Sequence, residues 1–140
     1  MADRAILAGY LRSRLAGAFR QFNAALQDLP PEEAHAQRRA DWRRYRHGEG
    51  LNGSIAGIVH HVGAWKHAAA AALADGRSLG VEAYAPSTGE WHDLVAWLNQ
   101  GQQAMEQAFA GWGDDDLSET VELAGYPMSR GTLATIMLEH

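Results

Sequence analysis

The chain has 140 residues, a formal net charge of −5, 46% hydrophobic residues and no cysteine. A chain of this length makes one domain, expected over 1–140, and a domain of about 150 residues buries roughly 68–70% of the surface its unfolded chain exposes. The composition is too apolar for intrinsic disorder, the mild acidity gives no general attraction for nucleic acid or anionic lipid, and disulfides, thiolate metal sites and cysteine nucleophiles are all excluded.

The longest uncharged stretch, Gly50 to Trp65, contains Asn52, Ser54 and two histidines. It falls short of the roughly 18 apolar residues that mark a bilayer span, so no membrane partner is expected. The amino terminus, MADRAILAGY, has no apolar segment followed by a small-residue cleavage site. A cytoplasmic location is therefore the default expectation.

The first predicted helix covers Asp3 to Asp28, with Leu7, Leu11, Leu15, Phe22 and Leu26 on one stripe at three-and-four spacing. Asp3 is expected to cap its first turn, and Pro30-Pro31 stops it, because proline lacks an amide donor and pushes the preceding residue out of helical geometry. From Pro30 to Gly53 the chain is polar, with Arg38, Arg39, Arg43, Arg44 and Arg46 around Trp42 and Tyr45. An arginine and aromatic cluster can grip phosphate and stack on bases. Beside Glu32 and Glu33 in an acidic chain it reads instead as a solvated crossover anchored by Trp42, with no nucleic-acid partner.

The second predicted helix runs from Ser54, as N-cap, to Ala74, with Asp75-Gly76 as its stop. Its apolar stripe is Ile55, Ile58, Val59, Val62, Ala69 and Leu73, flanked by Trp65. Residues 74–90 have no helical period and read as a loop. The third predicted helix spans Trp91 to Trp112 through Leu94, Val95, Leu98, Met105, Ala108 and Phe109, with Gly101 as its weak point. Asp114-Asp115-Asp116 lacks the spacing and central glycine of a calcium loop and reads as a turn between helices. Val121 and Leu123 alternate and mark an extended patch. A short last helix opens near Ser129 or Thr132 and places Leu133, Ile136, Met137 and His140 on one face. The predicted fold is all-α, a four-helix bundle with a short last helix.

Metal chemistry in this chain must use imidazole and carboxylate. On a helical wheel anchored at Ile55, His61 falls at about 240°, bordering the apolar face, whereas His60 and His67 fall near 140° and 120° and point away from it. His140 shares the buried side of the last helix. A histidine beside an apolar stripe is more often a hydrogen-bonded residue at the edge of the core than a ligand, so each of the two carries both readings. Two histidines also fall short of the three protein ligands of a catalytic metal site. The chain has no GxSxG, HExxH, GxxxxGK[ST] or strand-linked GxGxxG motif, so no catalytic residue is assigned.

The stretch SIAGIVHHVGAWKH after a glycine-rich loop, followed by WHDLVAWLNQGQQAMEQAFAGWGDDDLSETVELAGYPMSRGTLATIMLEH, resembles the DinB/YfiT-like superfamily of metal-binding four-helix bundles. The resemblance implies a divalent metal, nickel or zinc, held by one histidine on the second helix and a His-x-x-x-His pair on the fourth. His61 matches the first position and His140 the first histidine of the pair. The remaining position falls four residues beyond His140, so the resemblance implies a member cut within its last helix, with the fourth side of its core partly open. Leu98, Met105 and Phe109, with Leu11, Leu15 and Phe22, are then expected to line an uncovered groove.

By the same resemblance the activity expected is that of a thiol transferase-like or isomerase-like protein. The metal activates a low-molecular-weight thiol toward a small electrophilic substrate. The alternative is a non-catalytic helical module or metal-free dimerising bundle, and a homodimer is expected on either reading.

Overall fold

A computed structural model describes residues 6–37 and 51–139. Asp3, the arginine cluster with Trp42 and Tyr45, and His140 all lie outside the described residues.

The elements, in chain order, are α1 (Ile6–Leu26), α2 (Pro31–His35), α3 (Ile55–Asp75), α4 (Trp91–Phe109), a hairpin of β1 (Thr120–Leu123) and β2 (Tyr126–Ser129), and α5 (Arg130–Glu139). Short 3-10 turns sit at Val81–Ala83 and Asp114–Ser118. Helices α1, α3, α4 and α5 make the expected all-α bundle, and none of the described helices is long and apolar enough to cross a membrane. The ends of α3 follow their sequence signals. Ser54 Oγ accepts the Gly57 amide at 2.9 Å, and Gly76 closes the helix at φ 65°, a left-handed conformation that suits glycine.

Three local features depart from expectation. Helix α4 ends at Phe109, short of Trp112. The polar crossover contains the one-turn helix α2, started by Pro31 at its first position. The extended patch near 121–123 is one arm of an antiparallel hairpin in register Leu123↔Tyr126, closed by Ala124 and Gly125, both at positive φ.

The core divides into two apolar clusters along the bundle. One gathers Leu15, Met105, Phe109, Leu123, Leu133 and Met137, and the other Leu26, Ala34, Val59, Trp91, Trp97 and Leu98, each with further small residues of α3. This closes most of the expected open groove. Leu98 and Met105 are wholly buried and Leu15 and Phe109 nearly so, while Leu11 and Phe22 are half-buried. The physical reason is that Leu123 of the hairpin and Leu133 and Met137 of α5 cover one end, and Ala34 of α2 helps cover the other.

Helix α3 is the centre of the bundle rather than an amphipathic wall, with buried residues on almost every side. Its tightest partner is α4. The close approach is set by two glycines. A Cβ on Gly63 would lie 2.5 Å from Trp97 Cζ3, and one on Gly101 would lie 2.8 Å from His67 Cδ2. Gly101, expected to be a weak point, is where α4 makes room for a side chain of α3.

Candidate functional site

His61 is half-buried on α3, with its ring edge-to-face to Trp65 at 6.5 Å between centroids. Trp65 packs against the cluster that contains Leu133 and Met137 of α5. The border position expected for His61 is therefore observed. His140, its expected companion, lies outside the described residues. Among the described residues no three histidine, aspartate or glutamate side chains are grouped so as to hold a metal ion.

The expectation that His60 and His67 point away from the packed face is corrected. The His67 ring stacks on Trp97 at 4.7 Å between centroids and 19° between planes, with Tyr84 at 6.5 Å. Its Nε2 lies 2.8 Å from the Trp97 carbonyl oxygen. A carbonyl only accepts, so Nε2 carries the proton. Burial holds this imidazole below its ordinary pKa, only partly offset by that hydrogen bond. His60 meets Trp97 edge-on at 5.5 Å, and its own Nε2 is buried without a partner. A single-stripe wheel misplaced both because α3 has a second packed face, directed at α4.

A further polar residue of α3 lies within the apolar stripe. Lys66 falls at about 20°, within the apolar stripe between Ile55 and Val59. It is 7% exposed, and its Nζ donates to Gln102 Oε1 at 2.6 Å and lies 5.2 Å from the centroid of the Phe19 ring. Gln102 is 2% exposed, and its Nε2 has no hydrogen-bond partner. Burial lowers the Lys66 pKa to about 8, opposed by the charge of Glu106 one turn beyond Gln102 on α4. Lys66 belongs to none of the ion pairs among the described residues. It lines a cavity of about 130 Å³ with Phe19 and Phe22 of α1, Val62 of α3, and Met137 and Leu138 of α5.

A wider cavity of about 530 Å³, lined by His35, Asn52, His60, Ser87 and Thr88 among others, opens on the α2 side of the bundle. Its two imidazoles bring no third ligand with them.

The helical bundle agrees with the outcome of comparison. The model of the DinB superfamily matches residues 14–140, and the chain belongs to that superfamily. A search of curated proteins and a search of solved structures each returned no significant match.

Proposed function

We propose that this DinB bundle binds a divalent metal, nickel or zinc, through His61 and His140, and serves a low-molecular-weight thiol in transfer to a small electrophile. The observation that carries the reading is the position of His61. It sits on the central helix at the border of the core, turned edge-on to Trp65, which itself packs against the cluster containing α5. His140 follows Met137 of that cluster by three positions in the sequence, the spacing that keeps two residues on one helical face.

The donor chemistry suits borderline metals. Neutral imidazoles are ligands for zinc and nickel, and two of them leave the remaining positions to the thiol and water. His61 is the one described residue of that set, so the fit is partial. A bound divalent cation supplies a lowered thiol pKa, and with it thiolate at neutral pH. The protein's own contribution is to orient the His61 ring against Trp65.

Metal content of the purified chain by plasma mass spectrometry, followed by nickel and zinc titration, tests the proposal. His61→Ala is expected to abolish uptake and His60→Gln to preserve it. Equal uptake by His61→Ala and the parent chain would overturn it.

A second reading, a metal-free dimerising module, is favoured by the first turns of α1. Ile6, Leu7 and Tyr10 are 65%, 51% and 60% exposed there. Light scattering of the chelated protein separates the two, because a dimer that persists without metal and a chain that takes up none support the module.

A further inference from the structure

Among the described residues no carboxylate forms an ion pair with the buried Lys66, Glu106 acting on it only from a distance, and the opening it lines is apolar. A buried ammonium is strongly disfavoured unless it is paired and hydrogen-bonded. Gln102 Oε1 provides one acceptor at 2.6 Å, which leaves the other ammonium protons to the Phe19 ring and the cavity. The amide that holds Lys66 has a donor of its own, Nε2, buried and unpartnered. Among the described residues, no negatively charged acceptor bonds to either of these neighbouring donors, one charged and one neutral. The rest of the lining is hydrocarbon and aromatic, from Phe19, Phe22, Val62, Met137 and Leu138. The volume, about 130 Å³, is close to the roughly 150 Å³ of an apolar cavity that takes up benzene.

We propose that Lys66 is the recognition residue of a site for a small monocarboxylate with an apolar body, whose carboxylate pairs with the Lys66 ammonium while the body lies against Phe19, Phe22 and Val62. Gln102 is the positioning residue that fixes the ammonium. The site uses neither His61 nor His140 and needs no metal. The charged group acting on it from α4 is Glu106, while α1 and α5 present Leu15, Phe19, Met137 and Leu138 to the same cavity. A carboxylate bound there relieves the burial of the cation, and affinity falls as pH rises and Lys66 loses its proton.

The test uses the full chain treated with chelator, so that failure of the metal reading leaves it unaffected. Binding of benzoate, hexanoate, benzyl alcohol and hexanol is followed by calorimetry and by the NMR signals of Phe19, Phe22 and Val62. At least one acid is expected to bind and to shift those signals, with benzoate against hexanoate telling a ring from a chain. Its alcohol counterpart and the Lys66→Met variant are expected to bind about tenfold to a hundredfold more weakly, the range of a hydrogen bond to a charged group. Lys66→Arg, which keeps the charge, is expected to retain part of the affinity. Binding of neither acid, an alcohol as tight as its acid, or unchanged affinity in Lys66→Met would overturn the proposal. If Lys66→Met does not fold, the comparison of acid with alcohol on the parent chain still decides.

Discussion

Asp114 caps a helix that begins more than a hundred residues before it. Its Oδ1 accepts the Ala8 amide at 2.8 Å and its Oδ2 the Leu7 amide at 3.2 Å, satisfying two of the amides that the first turn of α1 leaves open. The reciprocal contact runs from α1 to the end of α4, where Arg12 Nη1 donates to the Trp112 carbonyl at 2.7 Å and the Phe109 carbonyl at 3.3 Å. A carboxylate at a helix start and a cation at a helix end both also suit the helix dipoles. Asp114→Ala is expected to cost about 0.5–2 kcal/mol in urea unfolding, the range of a lost cap. An unchanged midpoint would show that these bonds contribute nothing in solution.

Glycine to alanine substitutions should split by helix. In α1 a Cβ on Gly17 meets only Arg20 Nη2 at 3.7 Å, so Gly17→Ala is expected to stabilise by up to about 1 kcal/mol through helix propensity. In α3 the same change at Gly63 places a Cβ 2.5 Å from a buried indole. There the overpacking cost, about 1–3 kcal/mol, exceeds the propensity gain and the net effect is destabilising. Thermal melting of both variants checks the sign, and a Gly63→Ala protein that melts above the parent would refute the close approach of α3 and α4.

Lys66 imposes a pH dependence whose sign follows from its depressed pKa. In the unfolded chain the amine titrates near 10.5, in the folded chain near 8, so between these values the unfolded state binds more protons and stability rises with pH. Below about 8 both states are charged and the full burial penalty, on the order of 3 kcal/mol, is present. Above about 10.5 it is gone. The stability of Lys66→Met relative to the parent is therefore expected to decline as pH climbs through that window, which denaturant unfolding at pH 7, 9 and 10.5 would reveal. A constant difference across the series would contradict the burial of the charge.

The hairpin turn contains one strained residue. Ala124 has φ 50° beside Gly125 at φ 85°, the pairing of positive φ values that a two-residue hairpin turn of type I′ demands. A left-handed conformation costs a residue with a Cβ about 1–2 kcal/mol, and glycine pays none of it. Ala124→Gly or Ala124→Asn is expected to stabilise by about 0.5–1 kcal/mol in a thermal melt. A lower melting temperature for both would argue against this turn.

The same residues explain why the bundle was more legible than its details. Ser54, Gly76 and Pro30-Pro31 are local signals, read within a few positions of where they act, and they mark the limits of α1 and α3 closely. The hairpin was half seen because its turn uses Ala124-Gly125 instead of Asn-Gly and its second arm carries Pro127, a residue that argues against a strand. Asp3, the cap expected for α1, lies outside the described residues, and the Leu7 and Ala8 amides are met by Asp114, a carboxylate that no local pattern could point to. His60 and His67 were misjudged because the wheel assumed one buried face. Ile58 was placed in the core by the same assumption and is 47% exposed. Nothing in a periodic pattern can show that Gly63 and Gly101 bring a second helix against the other side. Of the candidate site, the border position of His61 is legible on the wheel, whereas the pairing of Lys66 with Gln102 joins two helices and no single-helix pattern carries it.

The division of the core has a dynamic consequence. Val62 and Leu98 belong to one apolar cluster and Met105 to the other, so Lys66 and Gln102 form a polar layer between two half-cores, both of which α1, α3 and α4 supply. Helix α2 contributes to one half and α5 to the other. Local opening of α2 or α5 leaves the opposite half packed, whereas no opening of α3 or α4 does. In native-state hydrogen exchange the amides along α3 and α4 are thus expected to exchange only through global unfolding, and those of α2 and α5 through separate, cheaper fluctuations that do not report on each other.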